Sequence, residues 1–105
     1  MLMLRWLKSS LVGGTHLGPL ETQVLRVLWQ RGNATVREMV GDPAISGAYT
    51  TIMTTLDRLH KKGLLERDLD GRAFRYRPKQ TEAEFNRRTF AANLENLLRS
   101  ARDAS

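Results

Sequence analysis

Cysteine is absent from the 105 residues, which excludes disulfides, thiolate metal sites and a cysteine nucleophile. Histidine is scarce: His16 and His60 stand far apart, with no acidic cluster beside either, so both read as solvated side chains rather than metal ligands. No apolar run approaches the roughly 20 residues that a membrane span needs. The opening segment, Met1 to Val12, is interrupted by Arg5 and Lys8, and those charges sit inside what would be the apolar core of a secretory signal. Neither a phosphate-cradling glycine loop nor a Ser-His-Asp set is legible, so the chain does not read as an enzyme and calls for no cofactor. Stable membrane insertion is not expected, and a reducing cytoplasm fits the missing thiols. One absence is local: no acidic residue occurs from Pro43 through Leu56.

What is present is ordinary in hydrophobic content, at 41%, and basic overall, with 17 Lys and Arg against 11 acidic residues. A chain this short forms one small domain with extensions, and it gains from dimerisation. The positive charge is concentrated. Arg58, Lys61, Lys62, Arg67, Arg72, Arg75, Arg77 and Lys79 face only Glu66, Asp68 and Asp70 in the same stretch. A basic cluster of this kind is the electrostatic footprint of nucleic-acid binding.

Leu4, Leu7 and Leu11 can line one side of a short helix in an N-terminal extension over residues 1–16. Pro19 and Glu21 open the first firm helix, with Leu20, Val24, Val27 and Leu28 as its core stripe, Leu25 and Trp29 widening it, and Gly32 as its stop. Thr35-Val-Arg-Glu38 spells a capping box for a short second helix with Val36, Met39 and Val40 inward. Gly41-Asp42-Pro43 breaks the chain, and Ser46 is the expected N-cap of a third helix that ends at Gly63.

At 100° per residue, Ala48, Ile52, Thr55, Leu56 and Leu59 fall on the inner face of this third helix. Thr50, Thr54 and Lys61 fall opposite, flanked by Thr51, Met53, Asp57 and Arg58. Four threonines within six residues are poor helix formers. An uncharged, hydroxyl-bearing face running into Arg58 suits a helix pressed against phosphates and base edges. Two helices joined by a short turn make a helix-turn-helix pattern.

After Gly63 the period changes to 2. Leu64–Asp68 and Ala73–Arg77 read as strands joined through Leu69-Asp70-Gly71-Arg72, a strong hairpin signal. Phe74 and Tyr76 share the face expected to pack on the helices, and Arg75 and Arg77 share the other. Arg72, at the tip, is placed to reach a phosphate or the minor groove. The fold class expected is therefore mainly α with a small β-hairpin: a winged helix-turn-helix of three helices and a two- or three-stranded wing over residues 17–79. Thr81-Glu-Ala-Glu84 then opens a long helix within residues 80–105. Its stripe of Ala83, Phe90, Leu94, Leu97, Leu98 and Ala101 lacks an obvious partner in one chain, so Phe90, Leu94, Leu97, Leu98 and Ala101 are expected to dimerise. Phe85 points the other way, toward the chain's own wing domain.

Several of these segments together resemble the BlaI/MecI/CopY family of penicillinase-repressor-like winged-helix regulators. The matching runs are Leu17-Gly-Pro-Leu-Glu-Thr-Gln-Val-Leu-Arg-Val-Leu-Trp29, Thr35-Val-Arg-Glu38, Tyr49-Thr-Thr-Ile-Met-Thr-Thr-Leu-Asp-Arg-Leu59, Lys61-Lys-Gly-Leu-Leu65 and Gly71-Arg-Ala-Phe-Arg-Tyr-Arg-Pro78. The resemblance implies a dimeric repressor on a palindromic double-stranded DNA operator, with Tyr49, Thr50, Thr51, Thr54 and Arg58 at the groove and phosphates and Arg72 in the wing. Met53, Lys61 and Arg75 join them as candidates from their positions. In the β-lactam-responsive branch the resemblance further implies an upstream membrane sensor and cleavage in the C-terminal region. The cysteine hook of copper-responsive members has no counterpart here. The alternative is a winged-helix protein-interaction module without sequence-specific DNA binding.

Overall fold

Helix α1 is Pro19–Arg31, and it carries the apolar stripe legible in the sequence, with Val24, Leu25, Val27 and Leu28 all buried. In the computed structural model, which describes residues 11–12 and 15–104, Trp29 anchors this helix by donating its indole N–H to the Gln80 carbonyl at 3.0 Å. The chain leaves α1 where the Gly32 N–H reaches the Leu28 carbonyl at 2.7 Å.

Strand β3 is Ala34–Thr35 and helix α2 is Val36–Val40. The capping box between them is formed in both directions. The Glu38 amide donates to the Thr35 hydroxyl at 3.2 Å, and the Thr35 amide donates to the Glu38 carboxylate at 3.1 Å. These bonds satisfy two groups that a helix start otherwise leaves open.

Helix α3, Tyr49–Lys61, starts two residues later than a Ser46 cap requires. Gly47 sits at φ 142, in the region that favours glycine, and Ala48 is extended at φ −73 and ψ 159. Both hold the chain out of the helix, so Ala48 is the N-cap and contributes no side-chain hydrogen bond. Ala48 is also exposed rather than inward, and the apolar group ahead of the helix is the buried Ile45. From the first turn onward the expected inner face holds: Ile52, Thr55, Leu56 and Leu59 are buried. Thr55 tolerates burial because its hydroxyl donates to the Thr51 carbonyl at 2.7 Å. At the far end the Gly63 amide bonds the His60 carbonyl and the Leu64 amide bonds the Leu59 carbonyl, both at 3.0 Å, which is a Schellman stop.

Strands β4, Leu65–Asp70, and β5, Ala73–Pro78, pair antiparallel, with β3 on the other side of β5. The strands are longer than expected, and the connection is shorter. Asp70 pairs with Ala73, so the loop is Gly71-Arg72 alone. Gly71 takes φ 67, matching two-residue hairpin loops with glycine in the first central position. Helices α1, α2 and α3 and this three-stranded sheet make a winged helix.

By compactness the chain falls into two units, Pro19–Thr81 and a second composed of the described residues up to Gly18 with those from Glu82 to Ala104. In the second, β1, Leu11–Val12, pairs antiparallel with β2, Thr15–His16, and α4 runs from Glu82 to Ala104. The short helix drawn through Leu4, Leu7 and Leu11 lies mostly outside the described residues, and Leu11 itself is in β1. Of the large apolar side chains of α4, Phe85 is buried, whereas Phe90, Leu94, Leu97 and Leu98 are exposed.

Because Thr35 caps α2 and its main chain lies in the sheet, Thr35→Ala is expected to cost about 1 kcal/mol of stability. A lower urea midpoint with unchanged slope checks this.

Candidate nucleic-acid interface

Three of the four clustered threonines, Thr50, Thr51 and Thr54, are exposed on α3, together with Tyr49, Met53 and Arg58. No side chain of the winged domain covers the hydroxyl face. Beside it stands one face of the wing. Facing residues in an antiparallel pair lie on the same side of the sheet, and the register Arg67↔Tyr76 and Leu69↔Phe74 puts these four together.

Between α3 and this face are two open grooves. The larger, about 460 Å³, is lined by Thr35, Val36, Arg37, Tyr49, Met53, Asp70, Arg72, Ala73, Phe74 and Tyr76. The smaller, about 300 Å³, is lined by Met53, Thr54, Asp57, Arg67, Phe74 and Tyr76.

Arg67 clamps the wing to the helix. Its guanidinium lies 4.3 Å from the Phe74 ring centroid and donates to Asp57 at 3.1 Å. The Phe74 and Tyr76 rings meet edge to face at 6.3 Å. Tyr76 and then Asp57 hold Arg67 further in its charged form. Only Tyr76 of the two aromatics packs inside as expected; Phe74 is 38% exposed. The ring is far enough along β5 to leave the core, and the guanidinium covers one side of it instead.

Arg75, expected to face a duplex, has its donors engaged within the domain. They reach Glu38 at 2.9 Å, Asn33 at 2.8 Å and Asp70 at 3.0 Å. Arg77 is paired to Glu66 and Asp68, Lys61 to Asp57, and Lys62 to Glu21. The basic stretch from Arg58 to Lys79 is thus largely neutralised from inside. Arg58 and Arg72 have no ion-pair partner among the described residues, and neither does Arg37 on α2.

The sequence alone does not single out Arg37. Its position opposite Val36 and Met39 on a short capped helix is the signal that points to it. His60 differs from a solvated side chain: it is half-buried, and its Nδ1 is enclosed without a hydrogen-bond partner. No helix of the described residues is long and apolar enough to cross a membrane.

The sequence model of the penicillinase repressor family matches residues 17–104. Over 69 residues the chain is 46% identical to the transcriptional regulator BlaI of Mycobacterium tuberculosis, covering 61% of this chain and 49% of that protein. Over 72 residues it is 31% identical to the penicillinase repressor of Bacillus licheniformis, covering 67% of this chain and 56% of that one. The chain spans about half the length of these curated relatives. Among solved structures it resembles M. tuberculosis Rv0081, with a TM-score of 0.58 at 18% identity, covering 98% of this chain and 92% of that one. The antimony-specific transcriptional repressor AntR matches with a TM-score of 0.50 at 16% identity, covering 79% of this chain and 68% of that one. At such identities these two likenesses concern the fold alone.

Three carboxylates of the winged domain are held below their ordinary range. For Glu38 the chief cause is the Arg75 hydrogen bond, for Asp42 the Ala44 amide, and for Asp57 the Lys61 ammonium. A depressed folded-state pKa adds stability above the unfolded-state pKa that is lost as pH falls through the folded one. Stability should therefore be level near neutrality and decline through the acidic carboxylate range. Glu38→Gln should flatten part of that decline in urea titrations repeated across pH.

Proposed function

The chain belongs to the penicillinase repressor family, and we propose that it is a sequence-specific DNA-binding transcriptional repressor acting as a dimer on a palindromic operator. Helix α3 enters the major groove, Thr50, Thr51 and Thr54 approach base edges, and Arg72 at the wing tip meets the backbone or the minor groove. One observation carries this reading: an exposed hydroxyl face bordered by Arg37, Arg58 and Arg72, three cations that the domain does not neutralise. A surface designed only to be soluble has no need of unpaired arginines around threonines. A protein-docking surface accommodates arginines but does not require a row of exposed threonines beside them. The names of the relatives, a transcriptional regulator and a penicillinase repressor, agree with it.

Dimerisation is assigned to α4. Phe90 is 69% exposed, Leu98 55%, Leu94 45% and Leu97 38%, and a stripe of that kind gains by leaving water against a second copy. Two-fold symmetry then presents two α3 helices, and the operator half-sites mirror them at about one helical turn, roughly 34–36 Å.

Binding to duplex DNA should weaken with salt by about 0.9 log unit per log unit of salt for each phosphate neutralised. Arg72→Ala should weaken all duplexes alike. Thr54→Ala should mainly erode discrimination, by about 1 kcal/mol per site. Equal and uniform losses for both variants would show that α3 does not read bases. In analytical ultracentrifugation, Leu94→Asp with Leu98→Asp should convert a dimer to a monomer. A monomeric wild-type chain at tens of micromolar would remove α4 from the proposal.

A further inference from the structure

The exposed part of α3 is unusual in what it can distinguish. Its outward side chains over the first turns are Tyr49, Thr50, Thr51, Met53 and Thr54. None is Asn, Gln, Arg or Lys, the side chains that make bidentate bonds to adenine or guanine. The first carboxylate of the helix, Asp57, is engaged by Lys61 and Arg67. A threonine hydroxyl both donates and accepts, so it separates bases less sharply than a bidentate side chain does.

Arg58 lies a turn further on, where the helix runs toward the phosphates, so over these first turns the chemistry left with a definite preference is apolar. Met53 is 43% exposed and Tyr49 50% exposed. Met53 lines both grooves between α3 and the wing, and Phe74 and Tyr76 line them with it. Arg67 over the Phe74 ring holds that aromatic floor in position. The major groove offers a single apolar group to such a surface, the 5-methyl of thymine.

Resting on the DNA-binding reading above, we infer that Met53 determines specificity by contacting the 5-methyl group of a thymine in each operator half-site. Tyr49 and Phe74, which line the larger groove with it, extend the apolar surface. The thioether is flexible and polarizable, which lets it follow a methyl group without the strict geometry that a bidentate bond demands.

The test uses the full chain. Duplexes enriched from a random pool are resynthesised with each thymine of a half-site replaced in turn by deoxyuridine, which keeps every hydrogen-bonding group and removes only the methyl. At one position or more, affinity should fall about fourfold, the value of one buried carbon. That difference should vanish in both Met53→Ala and Met53→Gln, while the salt slope stays unchanged. Enrichment of a motif whose deoxyuridine versions all bind equally would overturn the methyl contact and leave the repressor reading standing. A methyl effect that persists in both variants would overturn the role of Met53. Failure to enrich any sequence, or binding without salt dependence, would overturn both readings together.

Discussion

Glu38 accepts from two directions, and the winged domain turns on that joint. One oxygen takes the Thr35 amide, closing the capping box of α2, and the same carboxylate takes the Arg75 guanidinium from the middle of β5. Arg75 continues to Asn33 ahead of β3 and to Asp70 at the end of β4. A helix start, two strands and a loop are therefore oriented by one carboxylate and one guanidinium. The planar fork of arginine makes this possible, because its donors diverge in fixed directions. A lysine at the same place would offer a point charge without that geometry.

The second joint, Asp57–Arg67–Phe74, works on the opposite face of the wing. Between them the two joints fix the wing against α2 and α3, and thereby the shape of the grooves beside the hydroxyl face. They also consume much of the positive charge of the region. A net charge of +6 draws the chain toward a polyanion at long range. The charge that can meet phosphates at close range is narrower, confined to cations such as Arg37, Arg58 and Arg72 that hold no carboxylate among the described residues.

Among the described residues two apolar surfaces remain exposed, and they differ in chemistry. The α4 stripe is a row of large side chains suited to burial against a like surface. The Tyr49, Met53 and Phe74 surface is small, broken by threonines and rimmed by arginines. It suits an anionic partner that carries isolated methyl groups.

The helices, their stops and the hairpin are legible from the sequence because the signals are local. A stripe repeats every 3.6 residues, a capping box spans Thr35 to Glu38, and Gly63 follows the last apolar position of α3. The start of α3 departs from the sequence signal for an equally local reason: a serine is a good cap, but the backbone of Gly47 and Ala48 is not yet helical. Phe74 shows the limit of strand alternation, which assigns a face but not how far along the strand the core extends.

What the sequence by itself determined is the helices and hairpin from Pro19 onward and the hydroxyl face of α3, since both follow from neighbours a few residues apart. Only the tertiary structure decided which cations are available to a ligand. Arg75 meets Glu38 across 37 residues and Lys62 meets Glu21 across 41. Charge is counted along a chain, but it is neutralised through space, and those partners come within reach only once the elements have packed.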